Sequence, residues 1–177
     1  VSASSITVSS GARMDVINNT AATQRGGGVY LQDQDTRLDV NGSGTQMVVS
    51  GNTAEQRGGG VFAFDASSIT VSSGARMDVI NNTAATLHGG GVYLQDQDTR
   101  LDVSGSGTKL VVNGNTAKQA GGGVCAQSAS SITLSSGARM DVINNTAATQ
   151  HGGGVYLQNQ GTRLDVSGSG TKLVVNG

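Results

Sequence analysis

The residues best placed for chemistry are runs of three glycines. Gly26 to Gly28 form the first, and the run returns from Gly58, Gly89, Gly121 and Gly152. Backbone N–H groups freed of side chains can cradle a phosphate, but that needs a following Lys-Ser/Thr and helix, or a G-x-G-x-x-G opening a helix. Neither follows any of the five runs. A calcium β-roll needs G-G-x-G-x-D, which "GGGVYLQD" from Gly26 does not supply. Asp33 with Asp35, and Asp96 with Asp98, could hold a hard cation loosely through oxygen ligands. The third copy has Asn159 and Gly161 at these places, so they read as solvated turn residues. His88 and His151 stand where Arg25 and Arg57 stand in other copies and read as a polar corner. Cys125 replaces the Tyr or Phe of the other copies and reads as a structural substitution. Glycan hydrolases and lyases use clustered carboxylates. Here Asp15, Asp78 and Asp141, like Asp39 and Asp102, recur with the repeat, and Glu55 is the only glutamate. The expected catalytic, cofactor-binding and metal-binding residues are therefore none, and no cofactor is expected.

Composition excludes further classes. The chain has 177 residues, a net charge of -1, 13% charged residues and 3% aromatics, with 28 Gly and no Pro. Near-neutral charge gives no electrostatic case for nucleic acid or an anionic membrane. No apolar run approaches the roughly 18 residues of a membrane-spanning helix, so no direct insertion by this segment is expected. Cys125 is the single cysteine, so no disulfide forms within the chain. The first residue is Val rather than Met, which reads as a segment taken from a longer chain.

The elements that position these residues repeat. "SSGARMDVINNTAAT" occurs unchanged at Ser9, Ser72 and Ser135, a period of 63 residues. Glycine runs are spaced 32, 31, 32 and 31, so each long unit is two similar coils. The chain reads as one continuous unit over 1–177, with double-coil repeats 4–66 and 67–129 and an incomplete one at 130–177. Each coil shows three short alternating stretches, such as Ser5 to Val8, Arg13 to Val16 and Gly28 to Leu31. Period-two alternation indicates half-buried strands. Three strands per 31–32 residues exclude a four-stranded propeller blade and a leucine-rich repeat. They fit an all-β, right-handed single-stranded parallel β-helix of about five and a half coils. At about 4.8 Å per coil the segment is roughly 27 Å long.

Stacking aligns five apolar rows, begun by Ile6, Val8, Met14, Val16 and Val29. Outward rows alternate instead: Thr7, Asp39, Thr70, Asp102, Thr133, Asp165, and beside them Ser5, Arg37, Ser68, Arg100, Ser131, Arg163. Like charges on these rows are thus kept about 9.6 Å apart, and Arg37 can pair with Asp39 on one strand face. Asn19, Asn52, Asn82, Asn115 and Asn145 are expected to form a structural asparagine ladder, with Thr and Ala turning the chain after it and the glycines forming a rigid bend. Tyr30, Phe62, Tyr93 and Tyr156 are expected to point outward. They either stack between coils or form a candidate binding strip for glycans or proteins. Asn18, Asn41, Asn81 and Asn144 begin N-x-S/T sequons.

"GNTAEQRGGGVF" and "NNTAATQRGGGVY" resemble the repeats of chlamydial polymorphic outer-membrane proteins, with their F-x-x-N and G-G-A-I/L/V/Y motifs. Val16 and Val49 stand where that family has Phe, and a third Gly replaces its Ala. The resemblance covers all five units and implies an autotransporter-type passenger β-helix at the cell surface, acting in adhesion. The expected partners are neighbouring copies or adjacent repeats end to end, and host or surface glycans and proteins. Two alternatives are a self-assembling extracellular filament and a glycan-active β-helix enzyme. Near-identical units with neither end capped lead us to expect further copies beyond both ends.

Overall fold

The computed structural model describes residues 4–177, which form an all-β parallel β-solenoid with no helix. The first coil places strands at Ser5–Val8, Arg13–Ile17, Thr20–Ala21 and Val29–Leu31. Each strand pairs in parallel with its equivalent one coil on. Two six-stranded sheets grow from the first two strands and two five-stranded sheets from the others, giving five complete coils and two further strands. The three expected strands per coil are present. The Thr-Ala step adds a fourth, two-residue sheet where the sequence reading placed only a bend.

The register agrees with the apolar rows. Ile6 pairs with Leu38, Met14 with Met47, Val16 with Val49 and Val29 with Val61. Interior members such as Leu38, Val49, Val61, Ile69 and Val79 are at most 1% exposed. A sixth inward row, including Leu31, Ala63, Leu94 and Ala126, closes the core from the glycine-linked sheet. Burying each Val, Leu or Ile side chain contributes about 1.5–3 kcal/mol, so the stacked rows supply most of the driving force.

The two coil types fit together at the bend after the first sheet. Ala75 and Ala138 are fully buried there, while Thr45 and Thr108 are 2% exposed. Each Thr hydroxyl reaches one coil back. Thr45 Oγ1 accepts from the Gly11 N–H at 3.0 Å and Thr108 Oγ1 from the Gly74 N–H at 2.9 Å. The small Ala of one coil leaves room for the Thr of the next, which is a steric reason for the 63-residue period beside the electrostatic one.

The asparagine ladder is present and its interior is dry: Asn52, Asn82 and Asn115 are 0% exposed. At each step one Oδ1 accepts two hydrogen bonds from the asparagine of the preceding coil, one from its backbone N–H and one from its Nδ2. For Asn52 to Asn82 both are 2.9 Å; Asn82 to Asn115 gives 2.9 and 3.0 Å. The second Nδ2 hydrogen of Asn82 goes back to the Val49 carbonyl at 2.9 Å. Both donors and both lone pairs of the buried amide are therefore used, and no other side chain of this size offers two of each.

The glycine corner beside the ladder is tight for three separate reasons. Gly58 has φ +63, and a Cβ there would meet Phe62 Cβ at 2.7 Å. A Cβ on Gly59 would overlap the Thr83 and Gly90 carbonyls, and one on Gly60 would lie 2.6 Å from the Gly91 oxygen. The backbones of successive coils touch directly here, as the rigid-bend reading requires.

Asn82→Ala removes donors and acceptors from buried partners on both sides. Leaving about three buried polar groups unsatisfied should cost roughly 4 kcal/mol. Chemical denaturation of the purified variant checks this, and an unchanged midpoint would contradict the ladder's role.

Candidate functional site

The expected surface strip of aromatics is not a surface. Side chains of the row do leave the main core, but Phe62 and Tyr93 are 0% exposed and form a second buried cluster with Cys125, flanked by Phe64 and Tyr156. Only Tyr30 shows substantial area, at 44%. The stacking alternative is the one realised. Tyr30 and Phe62 lie 5.4 Å apart at 8°, and Phe62 and Tyr93 lie 5.3 Å apart at 7°. Phe64 meets Phe62 edge-on at 5.4 Å and 60°. Each such pair contributes about 0.5–1.5 kcal/mol beyond area burial.

What covers the rings is the corner before the glycines, whose residues had read as a generic polar position. Arg25 lies over the Phe62 ring at 5.3 Å and Arg57 over Tyr93 at 5.6 Å, each reaching the ring one coil on. The shorter histidines stack on their own coil's tyrosine: His88 on Tyr93 at 6.4 Å, His151 on Tyr156 at 6.1 Å. Coil four has no ring, and the corner there is Ala120, fully buried like Cys125. Corner and ring thus change size together. The positive φ of the first glycine folds the corner back over the strand it precedes, a tertiary feature invisible to strand alternation.

Electrostatics follow from this burial. Burial pushes the Cys125 thiol up to about 12, partly offset by Arg57, which leaves it a packed, un-ionised group rather than a nucleophile. Tyr93 is likewise driven well above its ordinary value by burial, while its hydroxyl donates to Gln127 Oε1 at 2.6 Å. Burial, then the Arg57 charge, lowers the pKa of His88, whose Nδ1 is buried without a partner.

The carboxylates sort into two groups. On the strand faces each has its own arginine two residues earlier. Arg37 lies 3.6 Å from Asp39, Arg100 3.3 Å from Asp102 and Arg163 2.9 Å from Asp165. In the other coils the motif moves to the second sheet, with Arg13–Asp15 at 3.0 Å and Arg76–Asp78 and Arg139–Asp141 at 2.8 Å. Burial disfavours the Asp141 anion, but Arg139 and Lys109 together outweigh it and hold the pKa below its ordinary value. The turn residues form the second group. Asp33, Asp35, Asp96 and Asp98 adopt positive φ, which Asp tolerates better than most residues. Among the described residues no three His, Cys, Asp or Glu side chains gather as a metal site. The sequon residues Asn18, Asn81 and Asn144 are exposed in the same left-handed conformation, and Asn41 is half-buried.

These features define a class, the parallel β-solenoid, here with an asparagine ladder and a cation-capped aromatic stack. No protein-family model, curated protein or solved structure matches the chain.

The lowered pKa of His88 sets a pH dependence. Stability should be fully kept above about pH 6.5, the ordinary value of His, and fall as pH drops below it, because the unfolded chain takes up the proton first. The Asp141 contribution is lost only at still lower pH, below its ordinary 3.8. Urea midpoints measured from pH 7.5 to 5 should slope for the parent chain and flatten for His88→Asn.

Proposed function

We propose that the chain is a non-enzymatic structural and adhesive rod, a passenger or stalk segment of a large extracellular protein exposed at a cell surface. The observation that supports it is uniformity. Every second coil repeats the same Arg-x-Asp ion pair on the same face. The buried amides and glycine backbones serve coil-to-coil bonding. The carboxylates that a glycan-active enzyme would use, Asp39 and Asp102, are tied to Arg37 and Arg100. A stack of this kind keeps its cross-section and grows by nearest-neighbour contacts, which suits a spacer that carries contact surfaces along its length. Its partners on this reading are adjacent repeats and surface glycans or proteins. Antibodies raised against the chain should label intact source cells, and labelling only after permeabilisation would overturn the surface placement.

A further inference from the structure

The chain has eight arginines, and six of them are paired with the Asp two residues on. The two exceptions, Arg25 and Arg57, sit together. They are partners in a parallel bridge, in the same row of successive coils, so their backbones lie one strand spacing apart, about 4.8 Å. Among the described residues neither has a carboxylate within 4.0 Å. Elsewhere on the rod the two-coil alternation keeps strand-face acids out of direct stacks. Cations do stack on the second sheet, Arg76 on Lys109 on Arg139, but Asp78 and Asp141 stand beside them. At Arg25 and Arg57 two arginines pair across coils with no acid, and His88 follows in the third coil.

Contact with the rings does not neutralise them. Each guanidinium carbon lies over a ring, Arg25 over Phe62 and Arg57 over Tyr93, and a cation held against a ring still has N–H donors of its fork for another partner. The Nε of Arg57 is buried and unbonded, so the donors a ligand can reach are the terminal nitrogens. Glu55, exposed two residues before Arg57, is the only acid on this corner. It forms no ion pair with either arginine.

We propose that Arg25 and Arg57 form a binding site for an oxyanion, a sulfate or carboxylate group bridging the two guanidiniums. Planar forks one coil apart offer donors to two oxygens of one group, the geometry in which arginine binds sulfate, phosphate and carboxylate most strongly. The bridging anion relieves the repulsion of two stacked cations. The site ends at coil four, where Ala120 replaces the cation. It stands independently of whether the rod is a stalk or a filament.

The test follows the eight arginine Nε–H signals by NMR in the nitrogen-15-labelled chain. Sodium sulfate, then dextran sulfate, is titrated in at constant ionic strength, with chloride as the balance. The signals of Arg25 and Arg57 should move saturably while the six paired arginines stay still. Saturation by sulfate alone assigns a free-anion site, and response to dextran sulfate alone assigns a polymer-borne group; either supports the proposal. Arg57→Gln should weaken binding about tenfold, the loss of a hydrogen bond to a charged group. Arg100→Gln removes the same charge from an ion pair and should change binding less than about twofold, as expected for a screened surface charge. Arg25→Gln should reproduce the loss from the second position, so a folding defect at Arg57 would not decide the outcome. Uniform movement of all eight signals, no movement with either probe, or equal weakening by Arg57→Gln and Arg100→Gln would overturn it.

Discussion

The structure depends on the direct contact of successive backbones at the glycine corner and the asparagine beside it. Gly60 donates to the Gly91 carbonyl at 3.1 Å, Gly91 to Gly123 at 3.1 Å, and the ladder amides run alongside. Any side chain at the middle glycine would push two coils apart, and the ladder bonds, all near 2.9 Å, would open together. Flexible residues thus form the least adjustable part of each coil, because the neighbouring coils remove the space in which flexibility would be used.

Once that spacing is set, everything else must be commensurate with it. Identical charges one coil apart would repel at about 4.8 Å, so the Arg-x-Asp motif shifts between the first and second sheets in alternate coils. The bend follows the same rule in volume, with Ala75 and Ala138 alternating with Thr45 and Thr108. A 63-residue period is the shortest one that keeps the strand-face carboxylates out of direct stacks and alternates the bend in size. The second sheet does stack Arg76, Lys109 and Arg139, with Asp78 and Asp141 beside them.

The aromatic cluster shows a third solution to the same stacking. Neutral rings gain from repetition, so Tyr30, Phe62 and Tyr93 stack directly, and the first glycine's positive φ lets Arg25, Arg57 and His88 close over them. That closure leaves two cations stacked without an acid, in contrast to the rest of the rod, and it is where the electrostatics are least balanced.

The sequence by itself determined the parallel β-solenoid, the coil count, five of six inward rows, the asparagine ladder and the Arg37–Asp39 pairing. These follow from period and alternation: an exact repeat fixes which residues stack, and alternation fixes which side of its own strand each faces. Only the tertiary structure decided the fate of the outward aromatic row. Alternation says that Phe62 and Tyr93 leave the core, but not that the preceding corner folds back to bury them. The same limit hid the Thr-Ala sheet, whose two residues are too short to show a period, and the pairing of Arg25 with Arg57. Their importance lies in having no acid two residues on and in facing each other across coils, a relation between corners that no local pattern records.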